Sequence, residues 1–344
     1  MSGIIETAKR LGELPGVSGC EGVVRDEIIA LIKDNCESYE ADALGNLLAF
    51  KKGEKEPAGR IMLCAHMDEV GLIVTRIEDN GLLCAAPVGA LDGRVLFGKT
   101  VEVGPKRICG VIGGKATHHL TESEKQTVPD PDKLLIDIGA DGRKQAEEHV
   151  SHGDRAVFCS PPADFGENHL LGKAFDDRAG CAILIELMRS SLPYDCHFAF
   201  TAQEETGSIG AITAAYAIEP DIAITVETTT AADIAGVPEG QQTCKLGGGA
   251  AVSFMDRGTL YDKAMYDLAF ELAREKGIKV QPKTLIAGTT DSRSIQTAKS
   301  GARVLTVSTP CRYLHSQSLL INKDDVAEVC KLLAALVERL GAGV

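Results

Sequence analysis

The residues best equipped for chemistry stand at the ends of apolar runs. In "TAQEETGSIGA", Thr201 to Ala211, two glutamates, Glu204 and Glu205, follow the run "CHFAF" side by side. Adjacent residues on a strand point to opposite faces, so a cooperating pair must lie just past the strand, where Gly207 supports a turn. Acidic neighbours are common in a chain with 49 Asp and Glu, and Glu147-Glu148, Asp176-Asp177 and Asp324-Asp325 also occur. The pair therefore takes its meaning from other segments. "RIMLCA" ends at His66 and Asp68, "DIAITV" at Glu227, and "RVLTVST" is followed by His315, while "FDDRAGCAIL" opens a helix with Asp176 and Asp177.

Ligands of open α/β sheets bind beyond the carboxyl ends of the strands, so these segments are expected to converge on one rim. Taken singly, each residue has an ordinary structural role: a hydrogen-bonded histidine, a strand-end glutamate, an aspartate capping a helix. Taken together, two histidines and at least three carboxylates match the nitrogen and oxygen donors of a two-metal hydrolytic centre. Asp176, Glu205 and Glu227 with a bridging hydroxide bring two divalent ions to zero net charge, which leaves Glu204 free to move a proton. Asp68 is placed to accept the second ring N–H of a metal-bound His66. Rival motifs are weaker. "GVIGGKAT" is one residue short of a phosphate loop and has Ala116 where Ser or Thr must stand, and "GVSGC" lacks the spacing of a nucleophile elbow.

The elements that must position these residues alternate. "IIETAKRLGEL" and "EGVVRDEIIALIKDN" predict amphipathic helices, "SYEADALGNLLAFKKG" a hairpin around Gly45, and "RIMLCA" a fully buried strand. From Gly71 to Pro162 short β segments follow one another ("GLIVTRIE", "GLLCAAPV", "KTVEVG", "ICGVIGG", "KLLIDIG", "RAVFCS"), with "TESEKQTVPDPD" between them read as a mobile loop. After Pro162 strands and helices alternate to the end. The predicted fold is α/β: a doubly wound, largely parallel catalytic sheet formed by residues 1–70 and 163–344, with an all-β, barrel-like domain inserted at 71–162.

The chain has 344 residues, 44% of them hydrophobic, and a net charge of -13. That charge argues against nucleic acid or an anionic membrane as partner and favours a cationic ligand, such as a metal ion or a free amino terminus. The eleven cysteines, several inside apolar runs and none in a C-x-x-C spacing, exclude a thiolate zinc site and point to a reducing, cytoplasmic setting. No apolar stretch is long enough to cross a bilayer.

"AHMDEVG", "GKAFDDRAG", "TAQEETGSIGA" and "GTTDSRS...YLHS" resemble, in order and separation, the motifs of the TET-type or glutamyl-aminopeptidase-like family of dinuclear metallo-aminopeptidases. The likeness runs nearly the whole chain. It implies that a β-barrel dimerisation domain is inserted into the catalytic domain and that dimers build a tetrahedral dodecamer. It also implies that Asp176 bridges two ions, His66 and Glu227 holding one, Glu205 and His315 the other. Asp68 would orient His66, and Glu204 would be the general base. Zinc or cobalt is the expected metal, with manganese a third candidate, and the expected substrate is a peptide with a free N-terminus, attacked by a metal-bridged hydroxide. Glu227 departs from the Asp of many relatives. Alternatives are a related dinuclear deacylase or carboxypeptidase, a metal-stabilised scaffold without turnover, and a glycosidase, which the absence of Trp and an aromatic content of 4% disfavour. The side chain preferred at the N-terminus is not readable, although Arg257 or Lys245 would favour acidic residues if either faced the pocket.

Overall fold

The computed structural model describes residues 2–343. The buried runs form the centre of an 11-stranded sheet, where Cys196–Thr201, Ile61–His66, Ile222–Thr230 and Arg303–Arg312 lie side by side and parallel. Along the main path of the sheet parallel order stops there. On one margin Leu47–Lys51 pairs antiparallel with Cys196–Thr201 and turns through Gly45 (φ +97°) into Ser38–Ala41. On the other, Leu319–Asn322, His169–Gly172 and Ala163–Phe165 are all antiparallel. Two more strands, Ala250–Ser253 and Val280–Lys283, branch from the face of Arg303–Arg312.

The alternation of side chains explains how two helical layers cover the sheet. Ile61, Leu63, Phe198, Phe200, Ile224 and Val226 face one large core shared with the helices Ser2–Glu13, Gly22–Ile32, Phe175–Arg189, Lys263–Lys276 and Lys323–Gly341. Met62, Cys64, Ala199 and Ala223 face the opposite core, against the helix Ile209–Ile218, whose Ala211, Ala214 and Ala215 are equally small. Small side chains on both partners let this helix lie close to the strands that end at the functional rim.

Between His66 and the return of the chain at Ala163, six strands close into an antiparallel barrel: Gly71–Ile77, Leu83–Val88, Leu135–Asp137, Ile108–Gly113, Thr100–Val103 and Arg155–Phe158. Each of the six β segments read from the sequence supplies one. Closure leaves no free edge, and Leu72, Val74, Leu83, Val101, Val103, Ile112, Ile136 and Phe158 fill a core of the barrel's own. The segment Thr121–Asp132 differs from the mobile loop expected of it. It is exposed, yet it winds a short helix, Glu122–Lys125, held by a capping box in which Thr121 and Glu124 satisfy each other's backbone, and a further turn at Pro131–Lys133.

Candidate metal centre

His66 is the last residue of its strand and lies beside Thr201, the last residue of the neighbouring one. Past Thr201 the chain turns at Gln203, whose φ of +58° is left-handed, so the two glutamates leave the sheet instead of alternating across it. Gly210 closes this turn. A Cβ there would stand 2.2 Å from the Ala202 carbonyl oxygen, so only glycine lets the following helix start so near the strand. Ala174 (φ +57°) and His315 (φ +54°) are left-handed as well. Non-glycine residues held in this region cost about 1–3 kcal/mol each and cluster where function over-determines the backbone.

The turns aim side chains at one point. The two carboxylate oxygens of Asp176 diverge, Oδ1 lying 3.6 Å from His66 Nε2 and Oδ2 lying 3.3 Å from His315 Nε2. Glu227 Oε2 stands 3.7 Å from His66 Nε2, and Glu205 Oε2 stands 3.2 Å from His315 Nε2. Two donor triads result, His66–Asp176–Glu227 and Asp176–Glu205–His315, each with its ligand atoms within 4.8 Å of one another and with Asp176 common to both. Donors roughly 2.1 Å from a shared tetrahedral ion stand about 3.4 Å apart, so both triads have the spacing of a cation site. Glu227 Oε1 is buried without a hydrogen-bond partner, which fits a carboxylate that serves a cation. The residues present therefore fit two divalent ions of the zinc, cobalt or manganese kind.

Asp68 does more than orient His66. His66 Nδ1 meets the backbone oxygen of Asp68 at 3.2 Å and its Oδ1 at 3.4 Å, which turns Nε2 towards Asp176 and Glu227. The Asp68 carboxylate also accepts the backbone N–H groups of Glu204 (3.0 Å) and Glu205 (3.1 Å) and the Ser18 hydroxyl (2.6 Å). Glu21 accepts the N–H of Gln203 at 3.1 Å. Three successive N–H groups of the glutamate turn are thus held by carboxylates from distant segments. Thr228 Oγ1 donates to Asp176 Oδ1 at 2.6 Å and fixes the shared carboxylate.

Burial shapes the protonation of the rim. Burial alone would lower His66 and His315, but Asp176 and Asp68 raise the first well above the imidazole range, and Asp176 and Glu205 push the second up to about 11. Asp176 is held low, because the two imidazoles outweigh its burial. Burial drives Glu204, Glu227 and Asp177 well above the carboxylate range, with neighbouring carboxylates adding to it. Six carboxylates and two histidines crowd into a space that divalent cations, and not protons alone, neutralise well.

All seven residues singled out from the sequence meet here. Missed were Ser18, Glu21 and Asp291, the last fully buried with Oδ2 accepting from Thr201 Oγ1 at 2.5 Å and Oδ1 unpartnered. Also missed was the buried cluster in which Glu69 takes Lys173 Nζ at 2.8 Å and Arg178 at 3.4 Å. The available signals were the adjacency of Glu69 to Asp68 and the places of Lys173 and Arg178 on either side of Asp176 and Asp177. A cavity of about 340 Å³ opens over the rim and is lined by His66, Glu204, Glu227, a row of threonines and Lys283.

An α/β sheet with an inserted barrel and this donor set at its rim defines a hydrolase. Residues 45–332 match the model of the M42 glutamyl aminopeptidase family, and the chain belongs to that family of metallopeptidases; it is a peptide hydrolase of the aminopeptidase type. An aminopeptidase from the archaeon Desulfurococcus kamchatkensis is 34% identical with a TM-score of 0.92, over 97% of this chain and 94% of that one. The lysyl aminopeptidase of Pyrococcus furiosus is 32% identical over 97% of both chains. The TET1 peptidase of Pyrococcus horikoshii, which can assemble into a tetrahedron or a large octahedral shell, is 33% identical with a TM-score of 0.85, over 97% of this chain and 99% of its own.

Proposed function

We propose that this chain is a two-metal aminopeptidase that removes N-terminal residues from peptides. The observation that carries the reading is the divergence of the two Asp176 oxygens, each towards one histidine and one glutamate. His66 and Glu227 would hold one ion, Glu205 and His315 the other, with Asp176 available to both. Bound there, the ions would acidify a water molecule and polarise the carbonyl beside the free amino end.

The chain's own groups supply the rest. Asp68 fixes His66 so that Nε2 faces the site, and through two N–H groups it fixes the backbone that carries Glu204 and Glu205. Glu204 lines the cavity, and among the described residues its carboxylate accepts one side-chain hydrogen bond, from Ser208 Oγ at 3.4 Å, so it is not locked to a cation. Burial raises its proton affinity well above the usual carboxylate range, the direction that lets a general base also serve as acid. Glu204 takes the water's proton at a carboxylate oxygen and hands it to the leaving nitrogen as the C–N bond breaks. No Phe or Tyr lines the cavity, which removes the aromatic faces on which sugars stack.

The barrel carries the primary dimer contact, and dimers combine into a larger particle of the dodecamer kind. Among the described residues no helix is long and apolar enough to cross a membrane. The cytoplasmic reading rests on the cysteines, which are free and in good part buried in apolar surroundings. The test is metal analysis of reloaded protein together with hydrolysis of free and N-acetylated peptides in zinc, cobalt and manganese. Two ions per chain and cleavage of free peptides alone are expected; cleavage of the acetylated set, or none of either, overturns the reading.

A further inference from the structure

We infer that Glu69, Lys173 and Arg178 form a buried clamp that positions Asp176, the carboxylate common to both donor triads, against His66. This rests on the two-metal reading of the rim and names the residues that set the position of its shared ligand.

The stretch that presents Asp176 is not held by its own helix. It enters Phe175–Arg189 through Ala174, which is left-handed and has no side chain to cap with, and the backbone at Asp176 (φ -89°, ψ 105°) and Asp177 (φ -116°, ψ 42°) is not helical. The two oxygens of Asp176 nevertheless have to meet two histidines, at 3.6 Å and 3.3 Å, so one small shift of this backbone would spoil both triads. Thr228 holds one oxygen of the carboxylate, and the chain beneath it must be held from elsewhere.

Both ends of the stretch are tied to one point. Lys173, just before it, gives its ammonium to Glu69 Oε1 at 2.8 Å and Oε2 at 3.0 Å, and Arg178, just after it, brings Nη2 to Glu69 Oε1 at 3.4 Å. Glu69 follows Asp68 directly, so this carboxylate joins the segment of His66 and Asp68 to the segment of Asp176. Backbone groups tighten the joint. Arg178 Nε donates to the Met67 carbonyl at 2.6 Å and Nη1 to that of Leu11 at 2.7 Å, Lys173 donates to that of Leu14 at 2.8 Å, and the Gly16 N–H donates to Glu69 Oε1 at 3.0 Å. A Cβ on Gly16 would stand 2.5 Å from Arg178 Nη2, so glycine there leaves room for the guanidinium. Glu69 and Lys173 also line a small cavity of about 10 Å³ together with Asp176, Glu205 and His315, which puts the clamp directly behind the donors.

Stability alone does not call for charges here. Glu69, Lys173 and Arg178 are 3%, 5% and 0% exposed, and two cations share one anion. Removing such ions from water costs about as much as their attraction returns, and well-packed apolar side chains often serve a core as well or better. What the ions supply is direction, since charge-assisted hydrogen bonds hold their partners to a narrow geometry. A carboxylate that must face two cations at once needs that narrowness, because the groups behind a site decide how closely its ligands keep their places. The cations considered from the sequence take no part: Lys245 and Arg257 are exposed and do not line the catalytic cavity, and Lys245 pairs with Glu239 at 2.7 Å.

The experiment compares full-length wild type, Lys173→Met, Glu69→Gln and the double variant by cobalt(II) absorption, metal content after dialysis, arylamide kinetics and thermal melting. In Lys173→Met the Glu69–Arg178 pair remains, so the melting temperature is expected to stay near that of wild type. The cobalt bands should shift, retained cobalt should fall, and kcat should drop at least about tenfold, since a misplacement of about 1 Å can cost about a hundredfold. KM for a small arylamide should change less than about twofold. Glu69→Gln is expected to move the same readouts in the same direction with a larger loss of melting temperature, and the double variant to lose little more activity than the worse single one, because both act through one joint. A lowered melting temperature with the cobalt spectrum and kcat of wild type would give the cluster to the fold alone and overturn the inference, as would losses of kcat that simply multiply in the double variant. If Glu69→Gln does not fold, the spectrum and kcat of Lys173→Met decide. Wild-type protein that takes up no cobalt would sink the two-metal reading itself, and that result differs from a wild-type spectrum that the variants leave unmoved.

Discussion

The rim of the sheet and the barrel are built on opposite plans. The rim concentrates charge in the interior: His66, Asp68, Asp176, Asp177, Glu227 and Asp291 are all buried, on turns that hold Ala174, Gln203 and His315 left-handed. The barrel concentrates apolar side chains inside and leaves its ion pairs exposed, such as Arg107–Glu102 and Lys115–Glu124. A barrel of this kind would be stable through ordinary burial, whereas the rim gathers like charges that must be compensated. The difference teaches where each half is vulnerable. Removing a counter-charge injures the rim and spares the barrel, while changing an exposed barrel side chain injures only what the barrel touches.

The sharpest break in that comparison lies between two adjacent rim residues. Glu204→Gln keeps size and hydrogen-bonding reach but cannot accept the proton, so turnover is expected to fall at least about a hundredfold with both metals retained. Glu205→Gln exchanges an anionic ligand beside His315 for a neutral one and should lose metal first, with activity partly restored by excess metal. Elemental analysis beside arylamide kinetics separates them. Metal lost from the first variant and kept by the second would exchange the two roles.

The next test removes the cations and varies pH. His66 and His315 have raised folded-state proton affinities, so their contribution is complete below about 6.5 and is lost as pH rises, for His315 towards about 11. Glu204 and Glu227 are raised too, mainly by burial, so their contribution is complete below about 4.5 and is lost as pH climbs above it. Asp68 and Asp176 are lowered and matter only in acid, where their contribution is lost as pH falls below about 3.8. Metal-free protein should therefore weaken as pH rises above about 4.5, and further from about 6.5 towards about 11, and metal, which must displace the same protons, should bind more tightly over that interval. The gap in Tm between loaded and stripped protein is expected to widen with pH. A gap that narrows would mean that the rim is not a cation site.

How much of this was legible follows from the distance over which each feature is decided. The seven rim residues could be found because each stands at a strand end or a helix start, and one topological rule brings such places together. The six barrel strands could be found because each is a short apolar run between turn residues. The antiparallel margins of the sheet could not, since a run such as "LLIN" carries no mark of its partner's direction. Nor could the links from Ser18 to Asp68, 50 residues on, and from Glu21 to Gln203, 182 residues on, because they exist only once the chain is folded. The left-handed turns at Gln203 and His315 lack the glycine that would have announced them.

Assembly tests the barrel's half of the comparison. Phe97 is 50% exposed on the barrel, and on the proposed dimer contact Phe97→Asp should lower the particle mass in light scattering while metal content stays at two per chain. The exposed apolar side chains are not confined to the barrel, however. Ile209, Ile212 and Tyr216 form an exposed stripe along one helix, and Ile212 and Tyr216 line a groove with Gly258 and Arg293. If dimers join through that stripe, Tyr216→Glu should leave dimers intact and stop further growth. A particle that Phe97→Asp leaves whole and Tyr216→Glu splits to monomers would place the primary contact on the α/β half.

The smallest expected effect reaches the rim through a residue that touches no substrate. Ser18 lies in the loop between the first two helices, is 3% exposed, and gives its hydroxyl to Asp68 at 2.6 Å, on the carboxylate that holds the N–H groups of both glutamates. In Ser18→Ala the carboxylate keeps its other partners, so the metals should stay, but the turn carrying Glu204 gains freedom. A hydrogen bond to a charged group contributes about 1.5–3 kcal/mol, and if roughly half of that is felt at the carboxylate of Glu204, kcat should fall about four- to twelvefold. KM for a small arylamide should change less than about twofold, because the pocket wall is built from other segments. Ser18→Thr, which keeps the hydroxyl, should recover most of the loss. A simple loss of packing would instead lower Tm in both variants and move kcat and KM without that recovery, and Ser18 would then belong to the fold alone.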